Sequence, residues 1–251
     1  MQNSDDQWDF YACSIHDKPH SNMVNLSLFD VAPIDGLSVF YAIEVALRFP
    51  HPDHGMTTDE EYDALCGIED ALERALTKDL RYIGRQTGDG KRTFYFYGTP
   101  KADISALVDR IGQDFPEYKT STFHFEDADW RTYFDDFYPN AMGLNEIANR
   151  SVYVNLEKSG DDLSIPRTVD HFCIFQNAKH AKEFEATLKD QGFTVQVTKK
   201  GVLKKTYELL VQRSDAPHDL DPVTYHLDQL ARRLGGVYDG WGCPTATLPR
   251  D

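Results

Sequence analysis

Nowhere in this chain do about 18 apolar residues follow one another without interruption, which removes the usual basis for a membrane-spanning helix. The first nine residues carry Asp5, Asp6 and Asp9 where a secretory leader needs a basic stretch and then an apolar run, so the cytoplasm is the expected compartment. Cysteine is sparse: Cys13, Cys66, Cys173 and Cys243 form no C-x-x-C pair. Reduced structural thiols are expected, not a disulfide framework or a zinc ribbon. Positive charge is scarce in the first half, where residues 1–139 hold 12 Lys and Arg against 26 Asp and Glu; residues 140–251 hold 14 against 15. A surface this acidic repels phosphate backbones and draws in basic proteins, so a protein partner is expected and direct nucleic-acid binding is not.

Catalytic signatures are missing too. No G-x-S-x-G, H-E-x-x-H or dinucleotide-binding glycine motif occurs. Thr87-Gly88-Asp89-Gly90-Lys91 has two glycines but neither the terminal Lys-Ser/Thr nor the following helix of a phosphate loop. His51-Pro52-Asp53-His54 offers three possible metal ligands, yet it lies in a proline-rich turn without a partner at a diagnostic spacing. The expectation is a protein that is not an enzyme and that needs no cofactor or metal.

What is present is enough apolar side chain, 41% of residues with 12% aromatic, to fill two small cores. Residues 8–15 and 22–29 read as strands separated by the polar turn segment 16–20. Leu37, Val39, Tyr41, Ile43, Val45 and Leu47 then alternate as in a half-buried strand. A helix follows, with Thr58 and Glu61 as a capping box, Leu65, Ile68, Leu72 and Leu76 as the inner stripe, and Glu61 on the solvent side. Strands at 81–86 and 92–97, a helix at 102–113 and a strand at 118–125 complete a strand-helix-strand-strand-helix-strand series. Residues 129–138 and 143–158 read as bridging helices. The series then repeats: strand 168–175, a helix with Ala181, Phe184 and Leu188 inward, strands 193–197 and 205–212, a helix with Asp221 at its N-cap and Pro222 behind it, and strand 237–241. Lys199, Lys200, Lys204 and Lys205 in the hairpin link suit the protection of an edge strand.

The fold class is therefore α+β: two ferredoxin-like βαββαβ modules, antiparallel sheets with helices on one face, preceded by an extra β-hairpin. An acidic domain at 1–139 and a second domain at 140–251 are expected. Right-handed crossovers give such a module the strand order 4-1-3-2, so its first and last strands are antiparallel neighbours. Asp170 and His171 should then lie beside Tyr238, Asp239 and Trp241, although about 70 residues intervene. These five are the candidate interaction or structural cluster. A histidine between carboxylates is a possible acid or base, because a nearby anion raises an imidazole pKa. The commoner use of such a histidine is a hydrogen bond that closes a sheet edge. Trp241 is read in the same two ways, as a packing anchor or as a protein-binding anchor at a rim.

Asp170-His171-Phe172 with Phe175, the helix at 181–184, Gly192-Phe193-Thr194-Val195 and the ending Gly235-Gly236-Val237-Tyr238-Asp239-Gly240-Trp241 resemble the bacterial RraB family, regulators of ribonuclease E activity. Trp8-Asp9-Phe10-Tyr11, Leu65-Cys66-Gly67-Ile68-Glu69-Asp70 and Phe94-Tyr95-Phe96-Tyr97 resemble a domain of unknown function fused ahead of RraB modules. The resemblance implies a ferredoxin-like fold and a protein inhibitor that binds the basic, disordered scaffold region of ribonuclease E and alters RNA decay. The second module departs from that pattern by being nearly neutral, with the acid on the appended first module. The alternative class is a small-ligand-binding protein or enzyme with a cleft between the modules near His171.

Overall fold

A computed structural model of the chain describes residues 6–201 and 205–247. The chain divides into two compact units, Met1–Gly143 and Leu144–Asp251.

The first unit opens with a hairpin of β1 (Trp8–Ile15) and β2 (Lys18–Asn25), and continues through β3 (Val39–Ala46), α1 (Asp59–Ala75), β4 (Leu80–Gly88), β5 (Lys91–Gly98), α2 (Ser105–Asp114) and β6 (Thr120–Glu126). The six strands form one antiparallel sheet in the order β1-β2-β4-β5-β3-β6. Without the leading hairpin, the order β4-β5-β3-β6 is that of a split βαβ module. Val39, Tyr41, Ile43 and Val45 of β3 share a core with Leu65, Ile68 and Leu72 of α1 and Leu107 and Ile111 of α2, so both helices cover the same face. Each large apolar side chain fully buried there contributes roughly 1.5–3 kcal/mol.

The second unit contains most of α3 (Ala141–Lys158), then β7 (Arg167–Phe175), α4 (Ala178–Asp190), β8 (Thr194–Lys200), β9 (Thr206–Asp215), α5 (Asp221–Arg233) and β10 (Gly236–Gly242). Its four strands run β10-β7-β9-β8, all antiparallel, which is the expected 4-1-3-2 order. Cys173, Phe175, Leu209 and Val211 of the sheet pack with Phe184 and Leu188 of α4 and Leu227 and Leu230 of α5. Both units are thus α+β sheets with their helices on one face. Among the described residues no helix is long and apolar enough to cross a membrane.

Several local expectations give way to the structure. The second strand starts at Lys18, because His16 and Asp17 both take positive φ, 51° and 62°, and close a two-residue hairpin turn without a glycine. β3 is buried on both faces: Phe40 is 2% and Ala42 0% exposed. Phe40 packs edge-on against Tyr97, and Tyr97 lies flat on Trp130 at 3.9 Å. Residues 129–138 are not an α-helix but hold a wide π-type turn, Thr132–Phe137, whose start is fixed by Asp127 accepting from the Arg131 and Thr132 amides at 2.9 Å each. The capping box at α1 does not form. Thr58 Oγ1 donates to Phe49 O, while the Glu61 carboxylate, 1% exposed, accepts from the amides of Arg48 (2.7 Å) and Phe49 (3.1 Å) at the end of the preceding segment. Asp221 is the first residue of α5, one place later than its expected N-cap position, because the turn Pro217–Asp219 runs into the helix through Leu220 in αR geometry. Lys199 and Lys200 lie on the edge strand β8; Lys204 lies outside the described residues.

Candidate functional site

Strand alternation decides which side chains of β7 enter the core. Val169, His171, Cys173 and Phe175 point inward and are buried; Asp170, Phe172 and Ile174 occupy the opposite face. The register with β10 sets Trp241 opposite His171 and Gly242 opposite Asp170, and a bulge between Tyr238 and Gly240 leaves Asp239 unpaired and exposed. The sheet therefore brings the two distant motifs together. It does not bring their carboxylates to the imidazole: Asp170 accepts from Gln212 Nε2 at 2.7 Å on the other face.

His171 has no exposed surface, and its Nδ1 shares a 2.9 Å hydrogen bond with Tyr238 Oη. Its Nε2 has no hydrogen-bond partner. Removal from water dominates its titration and pulls the imidazole down to about 4, against the opposing pull of Asp215 and Asp170. Burial outweighs the flanking carboxylates, whose charges do not touch the ring. Burial also pushes the Cys173 thiol up to about 12 and the Tyr238 phenol well above its ordinary range. His171, Cys173 and Tyr238 are thus held neutral by burial.

Trp241 is a buried packing anchor, 8% exposed, and its Nε1 donates to Asn149 Oδ1 at 2.8 Å. Asn149 Nδ2 donates in turn to Asp221 Oδ1 and Thr224 Oγ1, both at 2.7 Å, and Tyr153 Oη donates to Asp221 Oδ1 at 3.0 Å. This network ties α3 to the first turn of α5 and the end of β10. Of its helix residues, the sequence singled out Asp221 alone, and that as a helix cap. The available signal is the spacing of Asn145, Asn149 and Tyr153, each four apart on one helical face, opposite the Asp221 and Thr224 pair.

Elsewhere, His51 and His54 stack at 3.7 Å, and among the described residues no three His, Cys, Asp or Glu side chains are grouped to hold a metal ion. None of the four cysteines forms a disulfide. A cavity of about 880 Å³ opens in the first unit, lined by Trp8, Leu28, Leu37, Leu76 and Leu80 with charged residues of both signs around them.

Sheet order and cluster define the class: a two-module α+β protein whose most distinctive strand junction buries His171, Cys173 and Trp241 in packing contacts. The chain belongs to the family of unknown function DUF695, whose family model matches residues 6–138, and residues 146–243 match the family described as Regulator of ribonuclease activity B. This is the arrangement expected from the sequence, an RraB-like carboxyl-terminal part preceded by a domain of unknown function. No curated protein matches the chain. Among solved structures, an unknown protein from Galdieria sulphuraria is similar at 9% identity and a TM-score of 0.26, with 82% of this chain and 99% of that chain covered. A putative glycine cleavage system transcriptional repressor is similar at 11% identity and a TM-score of 0.24, with 82% and 98% covered. The fold assignment rests on the two sheet orders and not on these likenesses.

Proposed function

We propose that the chain is a non-catalytic cytoplasmic regulator that binds ribonuclease E through that enzyme's basic, unstructured scaffold region and lowers its cleavage of RNA. The observation that carries this reading is the match of residues 146–243 to the ribonuclease regulator family on a module with a complete 4-1-3-2 sheet. Charge supports it in a divided way. The partner expected from the family is basic, and the acid that complements it belongs to the first unit, while the regulator-like unit is nearly neutral. The site chemistry is in keeping with a regulator, because His171, Cys173 and Tyr238 are buried neutral groups. A ligand-binding or enzymatic reading centred on His171 has less behind it, since the ring offers no surface to a ligand.

The test is retention of the purified chain on the immobilised arginine-rich region of ribonuclease E across a salt series. Retention at low salt that fades as the Debye length shrinks to roughly 3 Å near 1 M salt is the expected result. No retention at any salt concentration would count against the proposal.

A further inference from the structure

The sheets of the two units end in four edge strands, and three of them are guarded. β8 carries Lys199 and Lys200, β10 is broken by the bulge at Asp239, and β1 carries Asp9 on its outer run. β6 carries no charge between Lys119, which precedes it, and Glu126, its last residue. Thr120–Glu126 contains no lysine, no proline and no bulge, pairs with β3 in continuous register, and exposes Ser121 through Glu126 without a break. The direction of its free backbone groups follows from the ladder. Ala46 N donates to Lys119 O at 2.9 Å and Asp127 N donates to Ser38 O at 2.8 Å, and bonded positions in an antiparallel pair recur at every second residue. The odd-numbered positions therefore bond to β3, and the amides and carbonyls of Thr122 and His124 point away from the sheet.

The side chains beside this open edge have a definite chemistry. Phe123 and Phe125 lie 41% and 45% exposed on the face away from the helices, with Phe125 5.1 Å from Phe40. Glu126, Asp129, Asp135 and Asp136 are exposed at and beyond the carboxyl end of the strand. A free row of backbone donors and acceptors takes an extended chain, aromatic faces take guanidinium groups, and carboxylates add long-range attraction for cations. A second copy of this chain suits the edge less well, because each copy carries a net charge of −15.

We infer that β6 is a docking edge for an extended, arginine-bearing peptide, which adds as a further antiparallel strand with its guanidinium groups over Phe123 and Phe125. The inference rests on the regulator reading for the identity of the natural partner, but not for the chemistry of the edge. It assigns the capture of the basic segment to the unit of unknown function.

The experiment uses the full chain and a fluorescent synthetic peptide that alternates arginine with serine. Thr122→Pro removes an outward donor that β3 does not use, and the double change Phe123→Ser with Phe125→Ser removes the aromatic platform without touching the backbone. The peptide should bind the wild type with salt sensitivity and bind either variant about tenfold or more weakly at a temperature where circular dichroism shows the variant folded. If Thr122→Pro fails to fold, the double variant decides. Equal binding by wild type and the double variant, no binding by the wild type, or sedimentation showing two copies joined through this edge overturns the inference. A wild type that binds the peptide at β6 but leaves ribonuclease E unaffected sinks the regulator reading alone; variants that lose the peptide but inhibit ribonuclease E as the wild type does sink the docking edge alone.

Discussion

His171 shows how a buried titratable side chain is governed by the face of the strand it occupies. The alternation of Val169, His171, Cys173 and Phe175 places it in the core, and desolvation then holds it neutral with one hydrogen bond to Tyr238. An imidazole whose folded pKa is depressed below its unfolded value favours the unfolded state when protons are added. Its stabilising contribution is complete above about pH 6.5, falls as the pH drops from there to about 4, and then levels off; integrated, the loss is roughly 3 kcal/mol. Denaturant titrations of the wild type and His171→Phe between pH 7 and 4 check this prediction. The wild type should lose about that much more stability than the variant across the window, and parallel pH curves would contradict the account. The burial of His171 was legible in the sequence as its place in an inward series. The weakness of the flanking carboxylates was not, because Asp170 lies on the opposite face, where Gln212 binds it.

At the scale of elements, the bond between Trp241 and Asn149 does more than place one ring, since Asn149 also holds Asp221 and Thr224 and so clamps α3, α5 and β10 together. Asn149→Leu leaves the indole N–H and the Asp221 carboxylate short of a partner in a buried setting. A loss of about 2–4 kcal/mol in unfolding free energy is expected, read from the urea midpoint at an unchanged m-value. A change below about 0.5 kcal/mol would show that the network is dispensable. The elements themselves were readable where periodicity is strong, as in the alternation from Leu37 to Leu47 and the stripe of Leu65, Ile68 and Leu72. They were misread where a distant segment intervenes. Glu61 turned from a capping residue into a buried acceptor because the amides of Arg48 and Phe49 return to it, and β3 lost its solvent face to Tyr97 and Trp130. The turn across residues 16–20 was expected, but its contraction to His16 and Asp17 was not, since neither residue is the glycine that usually marks positive φ.

For the whole molecule, one supersecondary plan occurs twice, and charge separates the two copies. The juxtaposition of Asp170 and His171 with Trp241 followed from the sequence once topology was assigned, because the crossover rule leaves the first and fourth strands as neighbours. The central claim is that this chain restrains a ribonuclease by binding it. Titration into a purified ribonuclease E cleavage assay, on a substrate the enzyme cuts in the absence of this chain, tests it most directly. The account predicts a saturable fall in cleavage rate that added salt weakens. Cleavage unaltered at a large molar excess of the chain would contradict it.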